Sequence, residues 1–244
     1  MKKILLIAAV AIMTATSVQA QTDEPKLTLN TRAWSTNYFT SLIYSAVVET
    51  VCRYAIGGNK NDSLWAERII PSADLVFPIG MGKKGFGEND IYGPYHYAFG
   101  NPFKHIGDYA IGLDVSYKPS YIGFYFGTYF KSQEVVFKET DDNIRGFYIQ
   151  PRAGLLIGHN DYALEAGAFY DVVTGCGGSV EKTNKNMLKS GFGLDFGLTH
   201  YDEGGASVLQ FSMPLHNFFD TSHAGQEGLK RKVGYIMFTR RVTL

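Results

Sequence analysis

His216, Asp220, Ser222 and His223 bring the residue types of nucleophilic catalysis close together in one stretch of chain. A serine becomes a nucleophile only when a base lies within hydrogen-bond reach and a third group orients that base. The stretch carries neither a helical nor a strand pattern, so it reads equally as a polar surface loop. A second set of charges recurs about once per segment: Glu49, Arg53, Asp114, Arg152, Glu165, Asp171, Lys189 and Asp195. Glu49 with Arg53 and Asp114 with Arg152 could select ions or hold a solute, or could simply neutralise one another. The run Gly80-Met81-Gly82-Lys83-Lys84-Gly85 is phosphate-loop-like only on the surface, because no Ser or Thr follows the lysines and no helix pattern succeeds it. No cluster of His, Cys and carboxylates has metal-ligand spacing, so neither metal nor cofactor is expected.

The elements that must position these charges are strands. Gly 27, Tyr 16 and Phe 17 dominate a chain of 244 residues in which helix-forming runs are scarce, and aromatic residues favour sheets. From Tyr109 onward the pattern has period two. Tyr109, Ile111, Leu113, Val115 and Tyr117 share one face, and Ala110, Gly112, Asp114, Ser116 and Lys118 the other. The same division sets Ile122, Phe124, Phe126 and Phe130 against Gly123, Tyr125, Gly127, Tyr129 and Lys131. It recurs with Phe147 to Ile157, with Tyr162 to Val172, and with Leu188 to Leu198, where Lys189 falls on the polar face. A soluble β-sandwich also alternates, but its outward face is usually rich in Lys, Glu and Thr. Here the polar face is mostly Gly and Tyr with isolated charges, which suits the crowded inside of a small barrel.

Lys2 and Lys3 precede an apolar run from Ile4 to Met13 and a small-residue exit at Val18-Gln19-Ala20. That is the plan of a secretory signal peptide, so residues 1–20 are expected to be cleaved and 21–244 to form one barrel domain. Elsewhere no apolar run reaches the roughly 20 residues of a spanning helix. Lys+Arg and Asp+Glu both number 23 and the formal charge is +0, so the basic field of a nucleic-acid-binding protein is missing. Strands are expected near Ile69–Ile79, Tyr109–Tyr117, Tyr121–Phe137, Arg145–Ile157, Tyr162–Val173, Leu188–Leu198, Ser207–Leu215 and Lys232–Thr243. Short connections (118–120, 158–161, near 200–205) alternate with long ones (81–107, 138–144, 174–187, 216–231), as in membrane barrels with short periplasmic turns and long external loops. Leu27–Ser35 and Ser45–Ile56 would add a hairpin. The expectation is therefore an all-β, antiparallel, up-and-down transmembrane barrel of ten strands, or eight with a periplasmic N-terminal segment. Cys52 would then lie near the periplasmic end of a strand and Cys176 in an external loop, too far apart for the roughly 7 Å limit between bridged Cα atoms.

The export signal, the Gly- and aromatic-rich alternation and the terminal strand Val233-Gly234-Tyr235-Ile236-Met237-Phe238 resemble the small outer-membrane β-barrel superfamily that includes OmpA-type and PorT-type barrels. The likeness covers most of the chain after residue 20 and is one of pattern rather than of motif. Members typically end in an aromatic residue, whereas this chain ends in Leu244. The resemblance implies a cell outer-membrane location, with outer-membrane lipid and the barrel-assembly machinery as partners. The histidine-serine-asparagine run of lipid A deacylases and the paired acidic and His-Asp motifs of omptin-type proteases are not found. The sequence thus points to a non-enzymatic envelope protein with a closed lumen, acting through its external loops. Tyr92, Tyr95, His96, Tyr97, Phe99 and Phe103 in the longest loop are the recognition candidates. A barrel enzyme on envelope lipid or peptide, a narrow pore and a soluble periplasmic sandwich or lipocalin-like binder are the rivals.

Overall fold

A computed structural model describes residues 26–43, 47, 74–81, 92, 106–159, 161–180, 184–202, 205–220, 222 and 231–243. Nine strands are described: β1 (Lys26–Ser35), β2 (Leu75–Gly80), β3 (Tyr109–Lys118), β4 (Ile122–Val136), β5 (Asn143–Ile157), β6 (Tyr162–Gly178), β7 (Gly191–Asp202), β8 (Gly205–Pro214) and β9 (Val233–Thr243). They form one antiparallel sheet in the order β1-β3-β4-β5-β6-β7-β8-β9-β2. The sheet curls until β1 also meets β9, through Thr28↔Thr243 and Leu29↔Val242. Tight turns join β3 to β4, β5 to β6 and β7 to β8, while long connections fall at the other end.

The period-two expectation holds through the middle of the sheet. Ile111, Leu113, Phe124, Phe126, Phe130, Ile149, Leu155, Leu164, Phe196, Leu198, Leu209 and Phe238 are exposed, whereas Asp114, Tyr125, Tyr129, Arg152, Glu165, Asp195 and Gln210 are buried. Phe126 is 57% exposed and Leu164 63%, the reverse of a water-soluble protein, in which large apolar side chains go inside. Glycines on the inner face make room for rings from neighbouring strands. A Cβ on Gly193 would strike the Phe169 ring, and one on Gly112 the Tyr129 ring. Tyr125 lies in the same way across Gly154 and Gly167, so small residues on one strand and rings on the next fill the interior together.

Several expectations are corrected. Leu188 and Lys189 precede β7 rather than opening it. Leu188 makes an isolated bridge to Phe219 and is buried, while Lys189 is exposed, because alternation carries no meaning outside a strand. Cys176 lies inside β6, which runs on to Gly178, and its thiol is free; Cys52 lies outside the described residues. β1 pairs with β3 along its whole length, and Ser45–Ile56, its expected hairpin partner, lies outside the described residues apart from Val47. Residues 38–43 are helical, and so is Val47, the described residue of 45–56.

Candidate functional site

The polar face of the alternation converges inside the sheet, where charges pair across the interior rather than along it. Arg152 on β5 reaches past β6 to Asp195 on β7, Nη2 to Oδ2 at 2.6 Å, with both side chains almost fully buried. Its guanidinium lies 4.8 Å from the centroid of the Tyr129 ring and 5.7 Å from that of Tyr125, a favourable cation–π arrangement. The Tyr129 hydroxyl in turn donates to Asp114, and the Thr199 hydroxyl donates to Glu165.

One level toward the long-loop end, Lys131 on β4 reaches past β5 to Asp171 on β6 at 2.8 Å. Gln150 Nε2 donates to the other oxygen of that carboxylate at 2.8 Å. His216, just after β8, points its Nε2 at Asp171 Oδ2 from 3.4 Å, and its Nδ1 lies 3.2 Å from the Phe192 carbonyl. Burial holds the His216 imidazole below its usual pKa, against the opposing pull of Asp171 and with help from Lys131 and Lys232.

At the long-loop end the described residues of the connection between β8 and β9, 215–220, 222 and 231–232, form a strap. Phe218 and Phe219 pack with Val135, Ile144, Tyr148 and Leu188. Asp220 N–H donates to the Met187 carbonyl at 2.9 Å, and Lys189 N–H to the Phe218 carbonyl at 3.0 Å. At the end of the strap Arg231 is buried, with Nη2 3.0 Å from Asp108 Oδ2 and Nη1 donating to the Glu134 carbonyl. The Tyr235 hydroxyl donates to the same Asp108 carboxylate at 2.8 Å and accepts from Gln133 Nε2 at 2.7 Å. Arg145 completes the cluster by pairing with Glu134 at 2.6 Å.

Between these levels lies a cavity of about 10 Å³ lined by Trp34, Lys131, Gln150, Arg152, Tyr235 and their neighbours. That is room for roughly one water molecule, and Trp34 Nε1, which has no partner among the described residues, is a donor for it. Removing one member of a buried ion pair strands its partner's charge at several kcal/mol. Arg152–Asp195 and Lys131–Asp171 therefore hold next-nearest strands together.

Of the sequence candidates, Asp114, Arg152, Glu165, Asp171 and Asp195 are brought inside, while Lys189 is not. Arg152 makes its ion pair with Asp195, while Asp114, whose charge also acts on Arg152, accepts from the Tyr129 hydroxyl. Glu49, Arg53, Tyr95, His96, Tyr97, Phe99, Phe103 and His223 lie outside the described residues. Tyr92 is half-buried; its N–H donates to the Val136 carbonyl at 2.9 Å, tying the aromatic loop to the end of β4. Of the described members of the catalytic grouping, the Ser222 hydroxyl donates to Asp220 at 2.7 Å within its own turn, and His216 is engaged by Asp171 and Phe192. Asp108, Glu134, Arg145 and Arg231 escaped the sequence reading as charges of the interior, and Lys131, set on the inner face, was not counted among its charges. Lys131 was legible from its shared parity with Tyr129, whereas Arg231 sits in a segment with no period to read.

Compared with protein-family models and with curated protein sequences, the chain matches none.

Proposed function

We propose that this chain is a non-enzymatic outer-membrane β-barrel, exported by its N-terminal signal and set with its tight turns toward the periplasm. In this reading the long connections form an external surface that serves envelope structure or binding. The observation that carries it is the inverted burial of β3 to β9, with apolar side chains outward and charges inward. Such a face is costly in water and natural in lipid. β1, β3 and β8 have 10 residues each, which matches the roughly 9–11 needed to cross a bilayer when tilted. β4 and β5 with 15 residues and β6 with 17 would rise beyond it as a ledge under the external loops. Braced ion pairs and rings that fill the interior favour a closed lumen over a pore. Outer-membrane lipid and the barrel-assembly machinery are the partners this reading requires.

The test is fractionation of native cells followed by gel mobility with and without boiling. Recovery in outer membranes with heat-modifiable migration is expected; a soluble periplasmic monomer with unchanged mobility refutes the proposal.

A further inference from the structure

The sheet is irregular at one place. β9 pairs with β1 at Thr28 and Leu29, then changes partner and pairs with β2 from Leu75↔Phe238 to Gly80↔Val233. β1 and β2 run in the same direction there, since both are antiparallel to β9, and the chain leaves β1 beside the seam between them as the helical turn 38–43.

This turn is amphipathic in the inverted sense. Phe39, Leu42 and Ile43 fall on one helical face and are 54%, 45% and 59% exposed. Asn37, Thr40 and Ser41 fall on the opposite face and are buried. The polar face is spent on the seam. Ser35 N–H donates to Ser41 Oγ at 3.3 Å, and the Ser41 hydroxyl donates to the Asp74 carbonyl at 3.0 Å, so one side chain ties the end of β1 to the start of β2. Asn37 Oδ1 accepts from Thr40 N–H at 3.1 Å, capping the turn.

Two observations put the turn on the outer side of the sheet. Ala33 and Ser35 pair with Ile111 and Tyr109, which lie on the outward face, yet Ala33 is 1% exposed and Ser35 0%. The Tyr38 ring also lies 6.0 Å from that of Phe77, an exposed outward residue of β2.

We infer that residues 38–43 form a lipid-facing helical turn that seals the β1–β2 seam, with Phe39, Leu42 and Ile43 in contact with acyl chains. The occupant follows from continuity: the Tyr38 ring beside Phe77 joins the turn to the outward face on which Leu75, Phe77 and Phe238 are exposed. The inference rests on the membrane reading above.

The test uses the full mature chain with Cys52→Ser and Cys176→Ser, refolded into dimyristoylphosphatidylcholine vesicles. Nitroxides are placed singly by Phe39→Cys, Ile43→Cys, Phe126→Cys and Thr140→Cys. Collision with dissolved oxygen is compared with collision with a water-soluble nickel chelate. Oxygen is expected to dominate at 39, 43 and 126, and nickel at 140. Oxygen dominance at 126 with nickel dominance at 39 and 43 overturns this inference and spares the barrel. Immobilised labels at 39 and 43 with dipolar broadening between copies overturn it in favour of a second chain as occupant. Nickel dominance at 126 as well overturns the membrane reading and the inference together.

Discussion

From Phe124 to Phe130, β4 alternates exposed rings with buried Tyr125 and Tyr129, whereas from Lys131 to Val136 every residue of the same strand is buried. In the lower stretch one face is covered by the interior and the other is bare and apolar. In the upper stretch both faces are covered, with Val135 and Ile144 in a cluster that includes Phe218 and Phe219. The upper cluster is organised as water-soluble proteins are, apolar inside. In the proposed barrel the lower band would face lipid, a solvent that is itself apolar. In that proposed setting one strand would span two solvents, and the change in burial falls near Lys131.

The largest test of this contrast is in the polar interior. Arg152→Ala leaves Asp195 buried without its partner and is expected to cost about 3–5 kcal/mol, read as a lower urea midpoint for unfolding from vesicles. Arg152→Leu with Asp195→Leu should recover most of that loss. If the double variant is as unstable as the single, pairing is not what the interior charges do.

A smaller effect separates the outer faces. Phe126→Arg is expected to cost about 2–4 kcal/mol in a bilayer, as charges do near the midplane. Thr140→Arg, in the exposed β4–β5 turn, should fall within about 0.5 kcal/mol. Equal responses would erase the boundary drawn across β4.

The smallest effect concerns the strap. His216 has a lower pKa folded than unfolded, so the unfolded form binds more protons between the two values, and stability there rises with pH. The His216 contribution is complete above about pH 6.5 and declines as pH falls toward the folded value. The protection factors of the Phe218 and Phe219 amides, that is, their exchange corrected for the intrinsic pH dependence of amide exchange, should therefore fall on acidification, and His216→Gln should flatten that slope. An unchanged slope in the variant assigns the acid response to another group.

Legibility in the sequence follows the same boundary. Phe124, Phe126 and Phe130 could be read as one face because a strand turns each side chain over at every residue, and a single apolar solvent on one side leaves that period unblurred. The burial of both faces at Glu134 to Val136 could not, since it depends on Arg231, 97 residues away from Glu134, and on Tyr92. Leu188 and Lys189 were assigned to opposite faces from those they occupy because the chain there answers to Phe219 rather than to a ladder. Around Val47 the apolar spacing suits period two and period 3.6 alike, and short windows do not decide between them.

The sequence by itself determined an all-β chain, the parity of the strands from Tyr109 onward, the alternation of tight turns and long connections, and the inward placement of Asp114, Arg152, Glu165, Asp171 and Asp195. These are local properties, set by backbone pleat and turn length. Only the tertiary structure decided that Arg152 meets Asp195, that Lys131 meets Asp171, that Phe218, Phe219 and Arg231 pack at the upper end of the sheet, and that a helical turn lies at the seam between β1 and β2. Each of these depends on the curl of the sheet, which brings together residues that no repeat along the chain connects.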